Sequence, residues 1–196
     1  MKRFCAPALV MLVLLAGCGK QSAEDYFSKA EGEYKTARET ADTLRNRDNM
    51  AKLFEPAMEN YMKVVQEYPD DPLAGPALFM AATIRNNEMR DPEQAVVLYK
   101  QFADKYPDAK KAPVATFLVG YLYHNDLYML DSASTWYKRF LDRYPQDEMA
   151  ASAQFELNSL GKSLDQLIPA DSIAAQKQGV VAGGNPPKPG ARQHPM

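Results

Sequence analysis

The sequence predicts an all-α protein, an array of antiparallel helix pairs that begins with one long helix. Three observations predict it: an internal repeat, apolar residues three or four positions apart within each repeat, and a proline at the end of one helix in each repeat. A chain of 196 residues permits one such domain with terminal tails.

The internal repeat is the strongest signal in the chain. A tyrosine-x6-tyrosine-proline motif ends at Pro69 and returns at Pro107 and Pro145, with the same interval both times. Alanine and phenylalanine positions keep this interval, at Ala57, Ala95 and Ala133 and at Phe79, Phe117 and Phe155. We call this interval the repeat period. A fixed period of this length indicates supersecondary units that stack on their neighbours.

The residues before each proline predict an amphipathic helix. Ala95, Tyr99, Phe102 and Tyr106 recur every three or four positions, which puts them on one helix face. The proline then ends the helix, because it lacks an N–H and disfavours helical geometry in the preceding residue. A second helix of each unit is expected at about 74–88, 112–125 and 148–160, the last followed by Gly161.

Helix starts can also be assigned. Asp91-Pro92 predicts an N-cap followed by proline at the first helical position, and Asp131 is expected to be the equivalent cap one repeat later. From Ala23 to Leu44 small and apolar residues alternate in steps of four and three, which predicts the long first helix. We expect this helix to pack against residues 51–68, although its seam could also form a coiled coil with a second copy.

The N-terminus has the pattern of an export signal. Lys2 and Arg3 precede an apolar run over 4–15, which is too short to span a bilayer as a mature helix. We therefore assign residues 1–17 to a signal peptide. Leu15-Ala16-Gly17-Cys18 resembles the bacterial lipobox. That resemblance implies cleavage before Cys18, acylation of Cys18 (a palmitate-type anchor), and a tether over 18–22; an ordinary signal with a free Cys18 is the alternative.

The remaining organisation follows from composition. Residues 23–168 form the expected helical repeat domain, and residues 169–196 are predicted to be a disordered tail rich in proline and glycine. The whole chain has a net charge of −2, and loss of the signal removes two further basic residues. Because no basic block remains, we expect no nucleic-acid partner.

Residues with catalytic or metal-binding spacing are missing from the sequence. It contains no glycine-lysine phosphate loop, no His-Glu-x-x-His motif and no cysteine pair at zinc spacing. The two histidines, His124 and His194, lie far apart in the sequence. We therefore predict that the protein is not an enzyme and uses neither a metal nor a cofactor.

The positions of Ala95, Tyr99 and Pro107, with Gly120-x-x-Tyr123 in the second helix type, resemble the tetratricopeptide repeat. That resemblance implies an α-solenoid in which the helices of the Gly-x-x-Tyr type, here those at about 74–88, 112–125 and 148–160, line a protein-binding groove. Transfer by position predicts a peptide groove of Phe79, Thr83, Asn86, Asn87, Phe117, Tyr121, His124, Asn125 and Phe155. The alternative is that the three phenylalanines belong to the core.

The lipobox, the repeat and the tyrosine-proline helix ends together resemble the BamD family of outer-membrane lipoproteins. The resemblance covers residues 22–160. The resemblance implies a periplasm-facing scaffold on an outer-membrane lipid anchor, with β-barrel assembly components as partners. The residues after the cysteine, Gly19-Lys20, lack the aspartate that holds such lipoproteins at the inner membrane, which favours the outer membrane. The alternative is a self-associating structural envelope protein or a cell-division-associated protein of the same repeat type, and the sequence leaves the oligomeric state open.

Overall fold

The computed structural model describes residues 20–43, 50–162 and 166. The described residues form seven α-helices that pack as sequential antiparallel pairs. Their bounds are α1 Ala23–Thr43, α2 Met50–Glu67, α3 Ala74–Asn87, α4 Pro92–Lys105, α5 Ala112–Asn125, α6 Leu130–Arg143 and α7 Ala150–Ser159. The predicted all-α class and the array of helix pairs are confirmed, and the helix bounds agree with those expected to within about two residues.

The described part of the chain divides between Arg90 and Asp91 into two compact units. The first unit contains α1, α2 and α3, and α2 packs against both of its neighbours. The second contains α4 to α7, and each of these helices packs against the next along the chain.

Small residues on α1 allow close packing in the first unit. The buried residues of α1 are all alanines, at positions 23, 30, 37 and 41. Against this face α2 inserts Phe54 and Tyr61, whose rings lie 5.8 Å from Tyr34 and 5.4 Å from Phe27. The expectation that the long first helix packs against the helix following it is confirmed.

A glycine permits the closest approach in the second unit. Tyr137 and Phe140 of α6 are fully buried in one cluster with Ala133 and Ala153. A Cβ added to Gly120 of α5 would lie 2.9 Å from the Tyr137 ring, a distance that real Cβ contacts do not reach. Gly120 therefore sets how closely α5 and α6 pack.

The tyrosine-proline motif both ends a helix and ties repeats together. Tyr106 and Tyr144 follow α4 and α6 with φ values of −125° and −126° and ψ values of 56° and 53°, outside helical geometry, as expected for residues before proline. The Tyr144 hydroxyl donates to the carbonyl of Pro107, at 2.9 Å. This hydrogen bond thus links the end of one helix to the end of the equivalent helix one repeat earlier.

The predicted cap at Asp131 is wrong. Asp91 caps α4 by accepting a hydrogen bond from the Gln94 N–H at 3.1 Å, as expected. The N-cap of α6 is Met129, which makes no side-chain capping bond, and Asp131 lies in the first turn. Met129 stands one full repeat period after Asp91. The start of α6 therefore keeps its position in the repeat, although Met129 has no side chain that could cap the helix.

Turn geometry follows the same repeat period. Arg90 and Tyr128, which also stand one repeat period apart, have φ values of 52° and 54°, a left-handed conformation that few side chains adopt. Gly161 has a φ of 71° two residues after α7 ends, which confirms the expected glycine beyond that helix.

Several sequence predictions lie outside the described residues. These are the signal peptide at 1–17, the lipidation site Cys18 and the tail at 169–196. Within residues 20–43, 50–162 and 166, none of the helices combines the length and apolar character needed to cross a membrane.

Candidate functional site

In the first unit, the predicted groove residues lie on α3. Phe79 and Thr83 are half-buried, and the Thr83 hydroxyl donates to the Phe79 carbonyl at 2.9 Å. Asn86 donates its side-chain N–H to the Asn87 side-chain oxygen at 3.0 Å. The polar groups that this helix can offer to a ligand therefore lie mainly at its C-terminal end, on the side-chain amides of Asn86 and Asn87.

A polar cluster directly after these amides was missed by the sequence reasoning. The Tyr34 hydroxyl donates to Glu88 Oε1 at 3.0 Å, and Arg38 Nη1 lies 3.0 Å from the same oxygen. Burial, followed by the hydrogen bond to Glu88, raises the pKa of Tyr34. The cluster joins α1 to the end of α3.

In the second unit, the predicted residues lie on α5, and Phe117 faces α6. Its ring centroid is 5.6 Å from Tyr137 and 6.0 Å from Phe140, the latter edge-on. On its other side Phe117 stacks at 6.4 Å on Tyr121, whose side chain is 40% exposed. Phe117 thus contributes to the packing of the α5–α6 pair, and Tyr121 is the aromatic residue that this face presents to solvent.

His124 connects α5 to α7. Its Nδ1 lies 3.2 Å from Glu156 Oε2, and both side chains are half-buried. Asn125, which is exposed, donates its side-chain N–H to the Tyr121 carbonyl at 3.1 Å. Glu156 was also missed by the sequence reasoning, although a signal existed, since the equivalent positions of the two preceding repeats hold the apolar Leu118 and Met80.

Phe155 of α7 differs from its repeat equivalent Phe117. It is 62% exposed, whereas Phe117 is covered by α6, the helix that follows it. Next to Phe155 in the sequence, the Gln154 side-chain amide donates to the Asn158 side-chain oxygen at 3.0 Å. Within residues 20–43, 50–162 and 166, α7 is the last helix with described bounds, so no helix of that set covers Phe155 as α6 covers Phe117.

The chemistry of the α5–α7 surface suits a polypeptide ligand. It combines an exposed aromatic ring at Tyr121, an amide at Asn125 and the His124–Glu156 pair. An aromatic shelf beside hydrogen-bonding side chains can hold one apolar side chain and its neighbouring backbone. Among the residues that the structure describes, no group of three or more His, Cys, Asp or Glu side chains is placed to hold a metal ion.

Comparison with known families agrees with the repeat analysis. Residues 76–109 match the family model of the tetratricopeptide repeat, so the chain contains such a repeat. The match covers most of α3, all of α4 and the turn that follows it. None of the curated proteins compared with the chain matches it. A domain of this class suggests a protein-binding scaffold, because its helix pairs present extended surfaces to partner proteins.

Proposed function

We propose that this protein is a lipid-anchored scaffold that binds other proteins at the periplasmic face of the outer membrane. Its partners would be components of β-barrel assembly, and it would carry out no catalysis itself. The observation that carries the proposal is the repeated helix-pair fold, whose α5–α7 surface exposes Tyr121 and Asn125 beside the His124–Glu156 pair. The lipobox at 15–18 supports the envelope location.

The partner segment should be extended or helical and should carry a large apolar side chain. Tyr121 stacks on Phe117, so its ring is held in place and loses little conformational freedom when a ligand covers it. Rigid aromatic residues of this kind often dominate binding energy at protein interfaces. Tyr121 is therefore the residue with which a partner should make its strongest contact.

Site-specific photo-crosslinking in intact cells tests the proposed surface. A photoreactive phenylalanine analogue replaces Tyr121 in one variant and Thr135, an exposed residue of α6, in a matched control. We expect Tyr121 to crosslink to a β-barrel assembly component and Thr135 to give no such product. The same products from both positions, or none from Tyr121, would contradict the proposal.

A binding experiment tests the energetic role of the same residues. Tyr121→Ala should weaken partner binding by at least about tenfold, since truncating a tyrosine that dominates an interface costs about 2 kcal/mol or more and about 1.4 kcal/mol already corresponds to tenfold. Thermal unfolding followed by circular dichroism checks that the variant retains its fold. Unchanged affinity in a folded variant would exclude Tyr121 from the interface.

The anchor is tested separately. Cys18→Ser should move the protein from the membrane to the soluble fraction, because acyl chains supply the proposed membrane affinity. If the variant stays on the membrane at the wild-type level, Cys18 does not carry the anchor.

The alternative of a self-associating structural protein depended on the periodic seam of α1. In the described residues that seam is buried against α2 in the same chain, which leaves a mainly polar outer face on α1. This observation favours the scaffold over self-association through α1. Light scattering of a Cys18→Ser chain over a range of concentrations separates the two, because the alternative requires a stable oligomer.

A further inference from the structure

The chain between the proposed anchor and α1 is fixed to one end of the first unit. Lys20 Nζ lies 3.4 Å from Glu67 Oε2 at the end of α2. The Gln21 carbonyl accepts a hydrogen bond from the Tyr68 hydroxyl. The polypeptide is thus held against the end of α2 before α1 begins.

A helix cap fixes the next residues. Asp25 accepts hydrogen bonds from the Ser22 N–H at 2.9 Å and from the Ser22 hydroxyl at 2.8 Å, and the Ser22 hydroxyl accepts from the Asp25 N–H at 3.1 Å. This reciprocal arrangement is a capping box. Hydrogen bonds from Ser22, first from its backbone, hold the pKa of the Asp25 carboxyl below its usual range. The first turn of α1 therefore has a defined start next to the end of α2.

The stretch of chain between Cys18 and the first of these contacts, at Lys20, is very short. Cys18 precedes Lys20 by two residues, and two residues of extended chain span at most about 7 Å. If Cys18 carries lipid, the end of the first unit where α1 begins and α2 ends cannot move far from the bilayer. The opposite end of this unit lies a helix length away from that short tether.

The side chains at this end suit a headgroup region. Tyr26 and Tyr68 lie with ring centroids 6.4 Å apart. Lys63 Nζ is 5.4 Å from the Tyr26 centroid, and Lys20 Nζ is 5.1 Å from the Tyr68 centroid. Tyrosine and lysine both favour the membrane–water interface, where an apolar stem or ring and a polar tip are each accommodated. We call Lys20, Tyr26, Lys63 and Tyr68 the tether edge.

We propose that the tether edge rests in the headgroup region of a phospholipid bilayer and orients the first unit on the membrane. The proposal rests on the lipid anchor proposed above. Because Lys20 is already paired with Glu67, the contact does not require anionic lipids. The amides at the far end of α3, a helix of 14 residues and about 21 Å long, would then stand off the membrane.

Two exposed positions on a single helix test the orientation. Gln66 lies in the last turn of α2 and Ala51 in its first turn, about 22 Å apart along the axis, and both are exposed. In the acylated full chain, whose Cys18 thiol is blocked and whose Cys5 is removed with the signal, Gln66→Cys or Ala51→Cys supplies one reactive thiol. Each is labelled with an environment-sensitive fluorophore and reconstituted into phosphatidylcholine vesicles that contain a headgroup spin-labelled lipid.

The expected result is several-fold stronger quenching of the label at position 66 than at position 51. Equal quenching at the two positions, or stronger quenching at position 51, overturns the proposed orientation. Flotation of the same samples separates this failure from failure of the anchor. A chain that floats with the vesicles but shows equal quenching retains the anchor and loses the orientation; a chain that does not float loses both.

A tether variant tests the cause. Insertion of about 20 glycine and serine residues between Gly19 and Lys20 gives a flexible linker with a root-mean-square reach of roughly 25 Å. The difference in quenching between positions 66 and 51 should then shrink markedly. An undiminished difference would show that the short tether does not hold the edge on the bilayer.

Discussion

Individual tyrosine hydroxyls in the second unit have opposite energetic roles. The Tyr144 hydroxyl donates to a carbonyl one repeat earlier, whereas the Tyr137 hydroxyl is buried and has no hydrogen-bond partner among the described residues. Burial is the main cause that raises the pKa of Tyr137. Both tyrosines belong to the same repeated motif, so only their surroundings distinguish them.

Removing these hydroxyls should therefore have effects of opposite direction. Tyr144→Phe should lower the free energy of unfolding by about 1 kcal/mol, because a hydrogen bond is lost. Tyr137→Phe should leave it unchanged or raise it by up to about 1 kcal/mol, because an unsatisfied buried hydroxyl is removed. Urea unfolding measures both, and a larger loss for Tyr137→Phe than for Tyr144→Phe would contradict this account.

Alanine substitutions at two glycines within helices should also change the free energy of unfolding in opposite directions. Gly120→Ala should lower the free energy of unfolding by about 1–3 kcal/mol, because its Cβ would overlap the Tyr137 ring. Gly32→Ala should raise it by about 0.5–1 kcal/mol, since nothing lies within 4 Å of the added Cβ and alanine favours the helix. Thermal unfolding of both variants is the measurement, and stabilisation by Gly120→Ala would show that α5 and α6 can separate at little cost.

The helices α4 and α6 occupy equivalent positions in successive repeats, but their N-terminal ends are capped differently. Asp91 and Met129 have similar backbone conformations, with φ of −113° and −99° and ψ of 77° in both. Only Asp91 supplies a capping oxygen. The start of α6 thus depends on packing of its buried face, at Ala133 and Tyr137, for its position.

Restoring the missing cap should stabilise α6. Met129→Asp should raise the free energy of unfolding by about 1 kcal/mol, as N-cap side chains do, at little cost in lost packing because Met129 is half exposed. Asp91→Ala, the matched change in α4, should lower it by a similar amount. If Met129→Asp leaves stability unchanged while Asp91→Ala lowers it, the two helix starts are not equivalent.

For the whole molecule, buried tyrosines in both units link stability to alkaline pH. Burial raises the pKa of Tyr61 to about 12, with smaller contributions from Glu31 and Tyr34. The folded state therefore favours the neutral phenol. The stabilisation is complete below the ordinary tyrosine pKa of about 10 and is lost as the pH rises through the folded value.

The free energy of unfolding should accordingly fall between about pH 10 and pH 12. Tyr61→Phe should make that fall smaller, since one of the groups that must ionise on unfolding is removed. Tyr128→Phe is the matched control, because the same hydroxyl is removed from a tyrosine that is 80% exposed. Denaturant titrations at several alkaline pH values measure the slope, and identical slopes for the Tyr61→Phe variant and the wild type would contradict the assignment.

Local and periodic features of the chain were predictable from sequence. The step from Pro69 to Pro107 to Pro145 and the stripe through Ala95 and Tyr99 located the helices, since helix periodicity and proline termination act within a few residues. The assignment of Asp131 as a cap was wrong, because α6 begins at its position in the repeat and not at the nearest residue with a capping side chain. The repeat period places Met129 at the start of α6.

The sequence by itself therefore determined the helix type, the bounds and the repeat of this protein, because these depend on short-range periodicity. The tertiary structure was needed to show that Phe117 packs against α6 and stacks on Tyr121, that Glu156 lies beside His124, and that Glu88 accepts hydrogen bonds from Tyr34 and Arg38. These contacts join residues on different helices, or depend on how two helices pack. Their formation depends on distances and directions in space, which the one-dimensional pattern of residue types does not contain.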